Sequence, residues 1–430
     1  MGCNMNKFSA TLSFIFIVGC STAISANNPS PQETQRDLPN QSMSQQGAGF
    51  ITAEVKQLLE FCIELNNQDD RANFPSDNQY KANLGDWIIE QDSRNKGDNN
   101  PETNGFGPFN NAWLLLKSKT DPTQFAIAIR GTVGEAHSII DDFLLTTIPG
   151  QNGIEFPSGK RLPIVFAATP EAEVHLGFAY AAFTILFDKE RGILTQLKDT
   201  KIPENAKLFI TGHSQGAAIA TLVHSFLYYA LTDEADRYGI GKKKLQIKSY
   251  LFAQPKPGNL QYASDLARIA GSKGHAFVIN NLLDPVPQIP LSIQTPADVS
   301  GNVINESKDK GKLLDKVLLG SVDRAFELVK FSRNAVATKV LSETAKKLNS
   351  KYGGSGAGAD HLDIASYFKP DENPEKRPAT SLNYTLAGQL IPVFGFANGG
   401  TLYPPSGNKP DLLLQHHATT YRKLINQQIP

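Results

Sequence analysis

The pentapeptide Gly212-His213-Ser214-Gln215-Gly216 holds a serine between two glycines, in surroundings that can make a nucleophile of its hydroxyl. Residues 207–211 ahead of it form an apolar run that reads as a strand, and Ala217-Ala218-Ile219-Ala220 behind it opens a helix. On so sharp a strand-to-helix turn the serine is forced outward from the sheet, and a side chain in place of either glycine would strike neighbouring backbone. The hydroxyl alone is a poor nucleophile. It needs a histidine to take its proton and an acid to orient that histidine, and in this turn context the chain order is serine, acid, histidine.

Asp284 follows the strand-like residues 275–280 and so falls where loops carrying chemistry gather, although a turn aspartate before Pro285 would look the same. His416 and His417 stand side by side near the C-terminus, ahead of a helical stretch at residues 418–425. Only one of them can point at Ser214. His416 is the chosen base, with His417 and then His361 as alternates; His137, His175, His213 and His224 precede the acid or flank the serine, and His275 begins a strand. The backbone N–H of Gln215, next to the nucleophile, is the expected donor to the oxyanion of the tetrahedral intermediate. The histidines lack metal-ligand spacing and no phosphate-cradling glycine loop precedes a Lys-Ser/Thr pair, so no metal or organic cofactor is expected.

These residues need a sheet to bring them together. Strands are predicted at residues 112–118, 124–130, 207–211, 246–253 and 275–280, separated by helices such as 174–198 and 217–238. The alternation predicts an α/β fold with a mainly parallel central sheet covered by helices. Asp121-Pro122 marks a turn, so the first two strands are expected to form an antiparallel hairpin at the sheet's edge. Cys62 lies among apolar residues at helical spacing and reads as a buried structural thiol. Residues 291–382 read as a mainly helical insertion into a catalytic domain of residues 51–430. Within them, Leu314, Val317, Leu318, Val322, Phe326 and Val329 share one stripe, and basic side chains outnumber acidic ones over residues 308–351. That excess suits either an anionic surface or a solvated helical cap.

Basic and acidic side chains balance at 42 each, so no overall field recommends nucleic acid as a partner. An apolar run at residues 8–19 behind Lys7 reads as an export signal, within a leader of residues 1–26, and is too short to span a bilayer as a permanent helix. Ile17-Val18-Gly19-Cys20 resembles the cleavage box of bacterial lipoproteins, with Cys20 as the lipidated residue; the alternative is an ordinary cut near Ala23 or Ala26. Residues 27–50, rich in Asn, Gln, Ser and Pro, read as a flexible tether. The expectation is an exported protein, lipid-anchored in a bacterial envelope or secreted.

Beyond the serine motif, the chain carries Phe125-Ala126-Ile127-Ala128-Ile129-Arg130-Gly131-Thr132, Val174-His175-Leu176-Gly177-Phe178 and Asp284-Pro285-Val286-Pro287. With these landmarks it resembles the class 3 lipases, a branch of the α/β-hydrolases, over residues 51–290 and 382–425. The resemblance implies a serine hydrolase of lipid esters acting at a membrane or lipid surface. It also implies that His416, five residues ahead of Tyr421, is the histidine, and that Thr132 is the second oxyanion donor. The segment at residues 133–150 resembles the position of a mobile lid, where a helix would be amphipathic; the alternative is an ordinary surface loop packed by its apolar side. The insertion is not part of the family's common pattern and leaves the substrate open: a triacylglycerol-like lipid, a phospholipid cleaved by a phospholipase A1, or a polar ester. A further alternative is a surface-anchored binding protein that keeps the fold without turnover. Oligomeric state is not legible.

Overall fold

The computed structural model describes residues 48–71, 81–95, 97–98, 100, 103–106, 110–131, 147–155, 161–188, 190–199, 201–290, 292, 383–395, 405–406, 409–410 and 413–430. The leader with Cys20, most of the tether, Thr132 with residues 133–146, His361 and nearly all of the 291–382 insertion lie outside the described residues.

In chain order the main elements are helix α1 (Thr52–Arg71), strands β1 (Trp87–Asp92), β2 (Trp113–Ser118), β3 (Gln124–Ile129), β4 (Thr147–Pro149), β5 (Gln151–Glu155), β6 (Arg161–Val165) and β7 (Glu173–His175), and helices α2 (Leu176–Phe187) and α3 (Ile193–Leu197). There follow β8 (Lys207–His213), α4 (Gln215–Leu231), β9 (Gln246–Phe252), β10 (Gly258–Asn259), α5 (Leu260–Ile269), β11 (Ala276–Asn281), β12 (Tyr384–Thr385), β13 (Gln389–Val393) and α6 (Ala418–Gln428). A seven-stranded sheet runs β1-β2-β3-β8-β9-β11-β13, with β3, β8, β9, β11 and β13 parallel and β2 antiparallel to both its neighbours. This is the α/β-hydrolase arrangement, with helices on both faces.

Side chains of a strand point alternately to opposite faces, and the parallel strands are apolar on both because both are covered. Phe125, Ile127, Ile129, Leu208 and Ile210 enter the core shared with α2, α3, α4 and α5. Ala126, Ala128, Phe209, Tyr250 and Phe277 enter the opposite core, beneath α1 and α6. Cys62 is buried in that second core, within hydrogen-bonding reach of Thr211 Oγ1 at 3.4 Å.

The β2–β3 hairpin forms as expected, but it is not the edge of the sheet: β1 pairs antiparallel outside β2. Its side chains are only partly covered and Ile88 is exposed, so its apolar signal is weak. The helix expected over residues 174–198 is a strand end followed by two helices, broken between Asp188 and Gly192. The helix expected around Ile139 to Leu145 lies outside the described residues; the segment's end, Thr147–Pro149, is strand β4, paired antiparallel with β7. The last tether residues are docked on the domain: Gly49 N–H bonds to Gly274 O at 2.9 Å, and the Phe50 ring stands edge-on to Tyr250 and Phe277. On either side of residues 293–382, Ser292 Oγ donates to Tyr384 O, and Lys256 Nζ donates to Ser292 Oγ at 3.0 Å.

Candidate active site

The backbone of β8 ends at His213 and turns into α4 through Ser214, whose φ of 60° and ψ of −136° lie in a region that non-glycine residues rarely adopt. Such a conformation costs on the order of 1–3 kcal/mol and persists only where the surroundings enforce it. Here Ser214 N–H bonds to Phe252 O at 3.0 Å and Ala217 N–H closes the turn onto Ser214 O at 2.9 Å. A methyl group at Gly212 would strike the backbone of Gly216, and one at Gly216 the carbonyl of Ile129. The two glycines therefore let helix and strand approach closely. Ser214 stays partly accessible while its neighbours His213 and Gln215 are buried.

The hydroxyl of Ser214 lies 2.8 Å from His416 Nε2, and His416 Nδ1 lies 2.9 Å from Asp284 Oδ2. A carboxylate only accepts, so Nδ1 carries the proton of that bond, and in the neutral ring Nε2 presents its lone pair to the serine. The structure thus brings Ser214, His416 and Asp284 together in one hydrogen-bonded line across three separate loops. His417 is not in that line. It occupies the position before α6, with its backbone N–H on Leu413 O at 3.1 Å.

Asp284 is buried, and a buried carboxylate must be satisfied on every side. Besides the His416 bond, its Oδ1 accepts from Val286 N–H at 2.9 Å and its Oδ2 accepts from Tyr421 O–H at 2.7 Å. Burial, with the Asp284 charge adding to it, holds the Tyr421 hydroxyl well above its ordinary pKa, so it remains a donor. The same hydroxyl accepts from Asn281 N–H at 2.9 Å. Residue typing by itself did not single out this tyrosine; only its spacing from His416 did.

Gln215 is the first residue of α4, and the first N–H groups of a helix have no partner within it. Its N–H therefore belongs to a helix terminus suited to developing negative charge. Gly131, at the end of β3, approaches so closely that a methyl group there would lie 2.9 Å from His213 O and 3.2 Å from Ser214 Cβ. The chain leaving β3 at Gly131 accordingly starts against the serine. Arg130 is buried and donates to Asn104 Oδ1 at 2.6 Å, fixing the chain just ahead of Gly131. Two further residues that sequence reasoning passed over touch the site: His213 and Asn281, the second visible only as a polar residue ending an apolar strand. Among the described residues, no group of three or more His, Cys, Asp or Glu is placed to hold a metal ion.

A line of hydroxyl, imidazole and carboxylate can transfer the serine proton as the oxygen attacks an electrophilic carbonyl. Residues 126–293 match the family described as lipase (class 3), a span that includes Ser214 and Asp284 and ends before His416. Secreted mono- and diacylglycerol lipase A of Penicillium camembertii is 35% identical over 100 residues, covering 23% of this chain and 28% of that protein. Secreted mono- and diacylglycerol lipase MDL4 of Malassezia globosa is 32% identical over 172 residues, covering 39% of this chain and 47% of that protein. The chain thus spans less than half the length of these relatives. Among solved structures, the crystal structure of M37 lipase superposes with a TM-score of 0.43 at 16% identity, covering 88% of this chain and 91% of that one.

Proposed function

We propose that this chain, which belongs to the class 3 lipase family through residues 126–293, hydrolyses carboxylic esters of lipids by way of an acyl-enzyme on Ser214. The observation that carries the reading is the continuous hydrogen-bonded line from Ser214 Oγ through His416 to Asp284, at 2.8 and 2.9 Å, starting from a partly accessible serine.

Ser214 Oγ attacks the ester carbonyl while its proton passes to His416 Nε2. Asp284 stabilises the imidazolium and keeps the ring oriented. The tetrahedral oxyanion is met by the N–H of Gln215 and by Thr132, each donor lowering the barrier by on the order of 3–4 kcal/mol. Collapse expels the alcohol, which takes the proton from His416. Water then repeats the sequence on the acyl-enzyme, releasing the acid and restoring Ser214. No step calls for a cofactor.

The names of the relatives support acylglycerols as the substrate class and an exported location. In this reading residues 1–26 are a leader with Cys20 as the lipidated residue. Residues 27–50 then tether a catalytic domain of residues 51–430, which the helical segment at 291–382 interrupts.

A fluorophosphonate probe tests the central claim. Wild-type protein is expected to label on one serine and Ser214→Ala not at all; an unlabelled wild type would show a binding protein instead. A panel of acylglycerols, phospholipids and short aryl esters then assigns the substrate class.

A further inference from the structure

We propose that His213 and Asn281 are positioning residues that fix the backbone of His416 from the two strands carrying its partners, a role that rests on the hydrolase reading above. His416 lies in a turn, not in a regular element, and its own side-chain bonds to Ser214 and Asp284 would not by themselves hold that turn in place. Alongside the turn's own bond from His416 N–H to Leu413 O at 2.8 Å, two buried side chains hold it.

His213 Nε2 lies 2.7 Å from the carbonyl oxygen of His416. A carbonyl only accepts, so Nε2 carries the proton and donates. The His213 ring also packs against that of His416, with centroids 4.7 Å apart and planes at 38°, and stands edge-on to Tyr421 at 5.7 Å. From the other side, Asn281 Nδ2 donates to the Gln415 carbonyl and to Gln415 Oε1, each at 2.9 Å, while its Oδ1 accepts from Leu283 N–H at 3.1 Å.

The Gln415 carbonyl belongs to the peptide plane before the His416 α-carbon and the His416 carbonyl to the plane after it. Fixing both planes fixes the direction in which the imidazole leaves the backbone. The two anchors come from the ends of β8 and β11, one residue before Ser214 and three before Asp284. Base, nucleophile and acid are thereby referred to the same sheet, and an error in the loop before His416 does not propagate to the 2.8 Å contact with Ser214. Both anchors are buried, His213 at 5% and Asn281 at 1% exposure, so neither contacts substrate. Their loss acts on proton transfer, not on substrate binding.

The test compares His213→Phe, which keeps a ring and loses the donor, with His213→Gln, which keeps a donor, and with Asn281→Leu, which removes the second anchor. Three quantities are read: the rate of Ser214 labelling by a fluorophosphonate, kcat and KM on a soluble aryl ester, and the low-field proton resonance of the His416 Nδ1–H. Misplacing a reacting group by about 1 Å can cost about a hundredfold in rate. His213→Phe and Asn281→Leu are expected to lower labelling and kcat by about 10- to 100-fold, leave KM within about twofold and shift the low-field resonance, with His213→Gln recovering most of the rate. Folding is checked by thermal melts, and Asn281→Leu carries the test should His213→Phe not fold. Folded variants that label at the wild-type rate, or a His213→Gln as slow as His213→Phe, overturn the proposal. Absence of labelling in the wild type overturns the hydrolase reading instead, so the two failures are distinct.

Discussion

The hydroxyl of Tyr421 donates to Asp284 Oδ2 at 2.7 Å, the same oxygen that lies 2.9 Å from His416 Nδ1. One oxygen of the carboxylate is therefore shared between the residue that it orients and a residue that orients it. Tyr421→Phe removes this second donor and leaves Asn281 N–H without its acceptor. We expect kcat to fall about tenfold, and stability by about 1–3 kcal/mol for the buried groups left unpaired. Steady-state kinetics and urea unfolding measure the two effects separately.

His416 and His417 are adjacent in sequence and different in position. Replacing His416 by alanine removes the group that contacts Ser214 and is expected to lower kcat at least about 10³-fold, the scale on which single members of such a line act. Replacing His417, which precedes α6 outside that line, is expected to leave kcat within a few-fold. Parallel kinetics on the two variants decide between them, and equal losses would contradict the assignment.

How much of this was legible in the sequence depends on how local the signal is. Ser214 was visible because its glycines, the strand before it and the helix after it lie within about a dozen residues. Asp284 was visible as the end of an apolar strand. His416 could be separated from His417 only by the spacing to Tyr421 that the family resemblance implies, since the two differ in their place in the turn before α6 and not in residue type. β1 escaped because it is an edge strand with half-covered faces, so burial imposed no clean alternation on it. β13 escaped because its parallel pairing with β11 is a contact between residues more than a hundred positions apart. His213 and Asn281 looked ordinary, because a buried polar side chain bonding to backbone has no sequence signature until its partner's carbonyl is located.

The approach of α4 to β3 gives Gly216 a sharp expectation. A methyl group there would meet the carbonyls of Ile129 and Arg130, which are backbone and cannot turn aside. Gly216→Ala should cost about 3 kcal/mol and displace the serine turn. A thermal melt unchanged from wild type would show that the helix can shift away at little cost.

Burial pushes the Cys62 thiol up to about 12, although its contact with Thr211 opposes the shift, so at pH 8 the reactive thiolate is almost absent. In the native protein Cys62 is expected to resist thiol reagents for hours, and to react within minutes in denaturant. Peptide mapping after pulse alkylation distinguishes it from the other two cysteines, Cys3 and Cys20. Rapid native modification of the Cys62 peptide would mean that the α1 side of the core opens readily.

His224 gives the fold a pH dependence of its own. Its ring is buried on α4, with Nδ1 2.9 Å from Ser249 Oγ, and burial, with a smaller contribution from His275, lowers its pKa from 6.5 to about 3. Below pH 6.5 the unfolded chain binds a proton at this position that the folded protein does not. Stability is therefore complete above pH 6.5 and falls as pH drops toward 3, by up to about 1.4 kcal/mol per pH unit. His224→Gln removes the titrating group and keeps a polar partner for Ser249. Between pH 7 and pH 5 the variant is expected to lose about 2 kcal/mol less unfolding free energy than the wild type. His275, whose pKa is lowered chiefly by burial, titrates in both proteins and largely cancels in the comparison. Identical pH dependence of the two urea midpoints would show that the interior around His224 admits the charged ring.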